Sequence, residues 1–509
     1  MSGTRILIDT NVLIALEDPG RTDPIAADFS RRCQGSIALF IHSATRRDLR
    51  RDRDDARRVI STSRIDKYPV LDEIPLPDRS ELTSRFGPVR NDNDAVDVAL
   101  LHALSLDVVD LIITQDGGIH KRVRGGSLEE RVLTLADAVA WLRALQDPVD
   151  DGLRQVEDIP AYSIDLKDPI FASLREDYDF DRWWRERCVA DHRRCWIARG
   201  AESLDGIVVR KEEGGGAIGR PSETRVLKLC TFKVASGARG HKVGELLLRK
   251  ALWHAQLNGF QATYLTAFSK QTMLVDLLER YGFQRWGEAA SSESIYVKPL
   301  SRERLTMPDG VDAAAFARAN YPRFALEGPV DAYAVPIRWS FHRRLFPEAA
   351  RLTALPLFGD TTFDERYGRR TAGNTIRKVY VCQSRNRSMK GGDVVLFYQS
   401  KDAGAHNSQA LTTVGVVEQV RRTGSSSELI RFTAGRSVFS KADLENLSKQ
   451  AKYGVMVIDF LLIGHLDPPL GLTEAIQKRI LTSHPQTVTR VPLQAMSAMK
   501  PSMNFGFEL

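Results

Sequence analysis

Cysteine is scarce in this chain: five in 509 residues, at Cys33, Cys188, Cys195, Cys230 and Cys382. The number is odd, and no two stand at a metal-ligand spacing such as C-x2-C. Both facts argue against a disulfide framework and a structural zinc site, and for a reducing, cytoplasmic setting. Long apolar runs are also missing. No stretch approaches the roughly 18 residues needed to span a membrane. The apolar N-terminus MSGTRILIDTNVLIAL is interrupted by Asp9 and Asn11, so it does not read as a signal peptide. Fixed-period repeats and low-complexity tracts are absent too, which leaves neither a solenoid nor a mostly disordered chain.

What is present is ordinary globular composition, 43% hydrophobic and 27% charged. The length corresponds to about three domains. The net charge of +7 is unevenly placed. Residues 1–150 carry 21 basic and 25 acidic side chains (−4), residues 151–330 carry 27 and 25 (+2), and residues 331–509 carry 24 and 15 (+9). The basic excess therefore lies in the last third, where an anionic partner would be met.

The first segment alternates strands and helices. RILI (5–8), IALFIH (37–42) and VDLIIT (109–114) read as buried strands, TNVLIALE (10–17) and RVLTLADAVAWLRAL (131–145) as helices. In DAVDVALLHAL (94–104) the apolar residues fall at i, i+3, i+4, i+7 and i+8, the pattern of an amphipathic helix. Such alternation predicts a parallel α/β sheet. Asp9 and Asp116 then fall at the carboxyl ends of strands, where ligands gather in open parallel sheets. Asp48 follows the second strand, and Asp94 and Asp97 share one helix face. Carboxylates converging on one edge repel one another unless a cation lies between them, and hard oxygen ligands suit Mg²⁺ or Mn²⁺. Taken singly, each has a plainer reading: Asp9 as an N-cap, Asp94 and Asp97 as a solvated face, Asp116 as a turn former.

Over residues 4–145 this constellation resembles the PIN-domain nucleases, including toxin ribonucleases of toxin–antitoxin pairs. The resemblance implies catalytic, metal-ligating Asp9, Asp48, Asp97 and Asp116, with Asp94 as an extra ligand and Asn11 and Thr114 in support. Asp48 stands where the family usually has Glu. One methylene shorter, it would reach a metal only through water.

The middle segment changes character. CWIAR (195–199) and GIVVR (206–210) read as a hairpin and RVLKLCTFKV (225–234) as a long strand. A loop, Arg239-Gly240-His241-Lys242-Val243-Gly244, then runs into the helix ELLLRKALWHA. Backbone amides at such a helix start suit an anion. After the strand ATYLTAF (262–268), a helix over 271–280 closes at Tyr281-Gly282-Phe283. Over residues 160–298 this resembles the GNAT acyltransferases. The resemblance implies that Arg239 to Gly244 hold the pyrophosphate of acetyl-CoA and that the long strand carries its pantetheine arm. Lys242 replaces a family glycine. Leu278 stands where many members have the tyrosine that protonates the leaving thiolate, with Tyr281 three residues on. The pair Trp183-Trp184 reads as packing rather than a substrate wall.

Residues 301–330, with Pro308, Pro322 and Pro329, read as a connector. Beyond it lie five strand candidates: 378–382, 393–399, 412–418, 428–433 and 455–463. Arg366, Arg369, Arg370, Arg377, Lys378, Arg385, Arg387 and Lys390 cluster there, with Trp339, Phe341, Tyr380, Phe397 and Tyr398 interleaved. Cations neutralise phosphates and aromatic faces stack bases. SMKGGDVVLFYQS, TTVGVVEQV and HPQTVTRVP resemble the PUA-like superfamily, in particular its ASCH and EVE branches, over about 333–495. That implies a small β-barrel binding nucleic acid, with Trp339, Arg377, Lys378, Arg385, Arg387, Lys390 and Tyr398 as contacts.

The sequence thus predicts an α/β and α+β multidomain chain: a PIN-like domain (1–150), a GNAT-like domain (151–300), a connector (301–330) and a PUA-like domain (331–509). The leading expectation is a metal-dependent ribonuclease fused to an acetyl-CoA-dependent acetyltransferase and an RNA-binding barrel. Its partners would be RNA such as tRNA, acetyl-CoA and, for a toxin-like role, a cognate antitoxin. The alternatives are an acetyltransferase with a scaffold PIN domain, and a non-catalytic sensor of acetyl-CoA and nucleic acid.

Overall fold

The computed structural model describes residues 4–17, 23–33, 37–45, 65, 67–71, 74–124, 126–146, 156–176, 179–200, 202–219, 223–235, 238, 242–269, 271–289, 292–326, 328–352, 375–402, 408–433, 436, 438–439 and 441–508. They divide into two compact units, one formed by residues 1–149 with 425–435 and the other by residues 150–424 with 436–509. No helix among the described residues is long and apolar enough to cross a membrane.

The first unit is a five-stranded parallel sheet of β1 (Thr4–Ile8), β2 (Ile37–His42), β3 (Val70–Leu71), β4 (Leu111–Ile113) and β5 (Val132–Leu133), in the order β3-β2-β1-β4-β5. Because β1 is paired on both sides and covered on both faces, Ile6, Leu7 and Ile8 are fully buried. Ile6 and Ile8 point to one core, with Phe29 and Trp141, and Leu7 to the other, with Leu100 and Leu104. That is the period-2 division expected of a strand buried on both faces. Two helices follow the sequence expectation, Thr10–Glu17 and Asp92–Ser105; the helix expected over 131–145 begins only at Leu135, because Val132–Leu133 pairs with β4 as strand β5.

One segment differs. ELIRFT, expected as a strand, lies in the helix Ser426–Thr433 and belongs to this first unit. Leu429 and Thr433, four apart, are its buried face, Ile430 packs on the Ile6 core, and Arg431 pairs with Asp110 at 3.0 Å. A six-residue apolar run cannot by itself tell strand from helix.

The second unit holds two sheets. The first comprises β6 (Val156–Pro160), β7 (Arg194–Arg199), β8 (Leu204–Glu213), β9 (Val226–Val234), β10 (Ala262–Ala267), β11 (Gln284–Glu288) and β12 (Ser294–Pro299), ordered β11-β12-β10-β9-β8-β7-β6. All pairs are antiparallel except β9–β10. The other comprises β13 (Ala332–Ile337), β14 (Arg377–Cys382), β15 (Val394–Gln399), β16 (Ala410–Thr423), β17 (Val455–Gly471) and β18 (Thr489–Val491), ordered β14-β17-β16-β15-β13-β18. Among the described residues β14 and β18 end this sheet without pairing, so the expected closed barrel is not formed. Three register shifts along β16–β17 introduce bulges, which bend these long strands.

The helix Val243–Leu257 lies in a core shared by both sheets. Leu247, Ala251 and Leu252 join Leu227 and Leu229 with Leu396, Tyr398 and Val414. The connector contains a helix of its own, Ala313–Asn320, capped by Asp312.

Candidate functional site

The fork between β9 and β10 is the clearest site-like feature of the second unit. These parallel strands pair over only three positions: Val226 with Ala262, Leu227 with Thr263, Lys228 with Tyr264. On its other side β9 stays paired to β8 as far as Val234. That ladder steps from Leu229 to Thr231, leaving Cys230 as the extra residue of a bulge. The bulge falls just beyond the last β9–β10 pair. From Thr231 to Val234, therefore, β9 turns main-chain donors and acceptors into the fork rather than to β10.

The Val243–Leu257 helix begins beside this fork. Its N-cap residue, Lys242, has φ 58° and ψ 22°, and its side chain does not cap the helix. This left-handed conformation costs a non-glycine residue roughly 1–2 kcal/mol, which is the physical reason for glycine at such a place. The first amides of an α-helix lack acceptors within the helix, and the dipole there favours an anion. Gly206 on β8 lets the helix lie close, since a Cβ there would stand 2.7 Å from Val243 and 2.8 Å from Leu247. A Cβ on Gly244 would stand 3.3 Å from Leu277, so the next helix, Thr272–Arg280, also packs close by. Lys242, Val243 and Gly244 are placed at the helix start, whereas Arg239, Gly240 and His241 lie outside the described residues.

Neither residue considered for thiolate protonation is placed for it. Leu278 is fully buried in the shared core. Tyr281 is fully buried with its ring 5.8 Å from Tyr321, and burial, with Glu245 nearby, raises its pKa well above 10. Tyr264, at the last paired position of the fork, was not anticipated. Burial, reinforced by Glu213, raises its pKa, so it keeps its proton at neutral pH. Lys228 holds its ammonium 5.4 Å from the Tyr264 ring centre. The signal available in the sequence was a lone tyrosine in the apolar strand ATYLTAF. Trp184 is buried with the rings of Phe171 and Phe180 each 5.6 Å away, as its packing role predicts.

In the first unit Asp9 follows β1 and is buried. Its carboxylate accepts from Thr10 N (2.7 Å), Asn11 Nδ2 (2.7 Å) and Thr114 Oγ1 (2.6 Å). Asn11 and Thr114 also organise the turn after β4. Gln115 N donates to Asn11 Oδ1 at 3.0 Å and Asp116 N to Thr114 Oγ1 at 2.9 Å. Asp116 N-caps the helix Gly117–Val123 through Gly118 N, at 2.6 Å. Asp97 faces this edge. Burial first, then the charges of Asp116 and Asp9, push its pKa up to about 7. Arg122 binds Asp94 at 2.5 Å and reaches Asp97 at 3.8 Å. Asp94 is thereby directed to Arg122 and to the Arg90 amide (2.7 Å). Asp9 and Asp116 thus lie near enough to act on the charge of Asp97. Among the described residues, however, no three such groups stand close enough to hold an ion by themselves. Asp48 lies outside the described residues.

Three of the expected nucleic-acid contacts are corrected by burial. Arg377 is buried in an ion pair with Glu418, which also takes Arg318 at 2.6 Å. Lys378 is 1% exposed, its Nζ donating to Leu345 O at 2.7 Å. Tyr398 is 1% exposed and belongs to the shared core. Their positions inside the sheet leave them nothing to offer a polyanion. Trp339 is half-buried, stacked 5.9 Å from His342. Arg385, Arg387 and Lys390 are exposed on the segment after β14. The backbone there is held by Arg422, which donates to Ser384 O and Asn386 O. Arg385 stacks 4.1 Å over Tyr453, a half-exposed ring that the sequence reading passed over.

The site thus consists of a mixed sheet forked between two parallel strands, with a helix starting beside the fork. Residues 160–283 match the acetyltransferase (GNAT) family, and this segment is a GNAT acetyltransferase domain. Solved structures similar to parts of the chain include a GNAT-family acetyltransferase of Desulfovibrio desulfuricans (15% identity, 29% of this chain and 100% of that one, TM-score 0.23). Another is the PaiA N-acetyltransferase of Thermoplasma acidophilum in complex with coenzyme A (15% identity, 26% and 84%, TM-score 0.20). A third is the ASCH protein of Zymomonas mobilis (11% identity, 34% and 95%, TM-score 0.23). No curated protein matches the chain.

Proposed function

We propose that the chain is an acetyl-CoA-dependent N-acyltransferase acting on an amine of RNA or of a protein held with it. The observation that carries this reading is the β9–β10 fork, opened by the Cys230 bulge beside the start of the Val243–Leu257 helix. Acetyl-CoA, when bound, supplies an activated thioester carbon. The amides at Lys242 to Gly244 would hold its pyrophosphate, and the main chain of Thr231 to Val234 would pair with its pantetheine amides. Tyr264 would supply the proton that Leu278 cannot. The exposed Arg385, Arg387 and Lys390, with Tyr453, would hold a phosphate-bearing acceptor. Calorimetry with acetyl-CoA tests the first half of this reading. Mass spectrometry of RNA, peptides and polyamines incubated with acetyl-CoA tests the second. Lack of acetyl-CoA binding would reduce the domain to a scaffold.

A second reading concerns the first unit, and the coupling of Asp97 to Asp9 and Asp116 favours it. Asp9, Asp97 and Asp116, with Asp48, would hold Mg²⁺ or Mn²⁺, which would supply an activated water for phosphodiester hydrolysis. Asp94 would serve as the extra ligand only by giving up Arg122. RNA incubated with Mn²⁺ and either the wild-type protein or the Asp9→Asn, Asp116→Asn variant decides it. Equal cleavage by both, or none by either, removes the nuclease and the toxin-like role with it.

A further inference from the structure

The bulge that opens the fork is held from outside its own strand. Before the bulge, Leu227 and Leu229 of β9 pack in the core shared with the Val243–Leu257 helix. Beyond it, Phe232 and Val234 pack there instead. A strand turns alternate side chains to one face, so this apolar pattern demands one extra residue between Leu229 and Phe232. Either Cys230 or Thr231 would satisfy the pattern. The ladder to β8 places the extra residue at Cys230, since Arg210 pairs with Leu229 and Val209 with Thr231.

What distinguishes Cys230 from Thr231 is Arg193. Cys230 packs against Cys188, Cys195, Ile197 and Val209, on the face of the sheet away from the helix. Its sulfur accepts from Arg193 Nη1 at 3.4 Å, the only side-chain hydrogen bond to Cys230 among the described residues. Arg193 is itself fixed in place. Its main-chain N donates to Cys188 O at 2.8 Å, where the chain turns from the Trp184–Val189 helix into β7. Its Nη2 donates to Asp191 Oδ2 at 2.9 Å, and its guanidinium lies 5.9 Å from the ring centre of Trp183. The Arg193 side chain is 8% exposed. Burial raises the Cys230 pKa against the pull of Arg193, so the thiol keeps its proton and serves as an acceptor rather than a nucleophile.

We propose that Arg193 is a positioning residue of the acyltransfer site: by holding Cys230 it fixes the bulge there rather than at Thr231, and so selects the main-chain groups of β9 that face the fork. This assignment rests on the acetyl-CoA reading above. Sliding the bulge by one residue would change which main-chain groups of Cys230 and Thr231 pair with β8 and which are offered to the pantetheine amides.

The test uses the full chain, with acetyl-CoA calorimetry, thermal unfolding and hydrogen–deuterium exchange of the β9 segment. Arg193→Met removes the donor, Cys230→Ala removes the acceptor, and Cys230→Ser keeps an acceptor in its place. Arg193→Met and Cys230→Ala are each expected to weaken acetyl-CoA binding about tenfold, the worth of one hydrogen bond to a charged group, and to speed exchange within β9. The double variant should bind no more weakly than the weaker single, because both changes act through one contact. Cys230→Ser should stay within about threefold of wild type. An Arg193 that serves stability alone would lower Tm and leave acetyl-CoA affinity unchanged. The proposal is overturned by a folded Arg193→Met variant that binds acetyl-CoA as wild type does, or by losses that multiply in the double variant. Should Arg193→Met fail to fold, equal affinity of Cys230→Ala and Cys230→Ser overturns it. A wild-type protein that binds no acetyl-CoA removes the underlying reading and the site role of Arg193 with it. Unchanged exchange within β9 in Arg193→Met refutes the hold on the bulge by itself, whether or not acetyl-CoA binds.

Discussion

Arg249 directs one guanidinium nitrogen at both oxygens of Glu348, at 2.6 and 2.7 Å. Arg249 lies on the helix that starts beside the acyltransferase fork, and Glu348 on the short helix Pro347–Leu352 after β13. Burial alone would raise the Glu348 pKa, but the Arg249 charge outweighs it and holds the carboxyl well below its usual range. Breaking such a pair from one side strands a charge. Because the Glu348 side chain is 34% exposed, water screens the stranded charge, and Arg249→Met is expected to cost about 1–2 kcal/mol in urea unfolding. Removing both partners, Arg249→Met with Glu348→Leu, should cost clearly less than the two single changes added together.

Lys242 gives a test of backbone strain. Lys242→Gly relieves the left-handed conformation but adds chain entropy, so its stability should stay within about 1 kcal/mol of wild type. Lys242→Val puts a β-branched residue in the same place and should lose about 1–2 kcal/mol. Thermal unfolding measures both. Under the proposed function, acetyl-CoA affinity should fall more for Lys242→Val than for Lys242→Gly, because the valine displaces the loop.

Asp97 makes the first unit sensitive to pH. Its pKa rises from 3.8 to about 7 on folding, so between those values the native state holds a proton that the unfolded chain has lost. The stabilising contribution is complete below pH 3.8, falls as pH rises and is gone above about 7. With a chelator present, Asp97→Asn should flatten this slope and raise Tm at pH 8. Under the metal reading, Mn²⁺ should raise the wild-type Tm at pH 8 and leave that of Asp97→Asn unchanged.

Arg377 and Arg385 are expected to part company. Glu418 takes two arginines and is held down at about pKa 2, burial being outweighed by Arg377 and Arg318. Arg377→Ala should therefore destabilise the unit by roughly 3–5 kcal/mol. Arg385→Glu with Arg387→Glu should leave Tm within about 2 °C of wild type. It should also lower the salt needed to elute the protein from immobilised RNA. Tyr453→Ala should weaken retention of single strands more than that of duplex.

Much of the architecture was legible because it rests on local periodicity. The apolar runs of β1, β2, β9, β10, β15 and β17 and the 3.6-residue rhythm of Asp92–Ser105 and Val243–Leu257 needed no knowledge of distant partners. The placement of Asp9 and Asp116 at one sheet edge followed from the parallel sheet alone; the helix after the Arg239–Gly244 loop was expected from Glu245 and begins at Val243. These are properties of short segments, fixed by which residues alternate and where chain direction reverses.

What the tertiary structure decided was which side of an element faces solvent and what stands beside it. Arg377, Lys378 and Tyr398 look like surface residues in a basic stretch. Only distant segments make them interior: the Val243–Leu257 helix packs with Tyr398, Glu418 of β16 takes Arg377, and Leu345 and Phe346 cover Lys378. The Ser426–Thr433 segment became a helix because the core that receives Ile430 belongs to strands about 300 residues or more away in sequence. The fork at Tyr264 depends on where two strands stop pairing. A sequence specifies its own periodicity locally, whereas burial, charge pairing and hydrogen-bond direction depend on contacts that exist only once distant segments have come together.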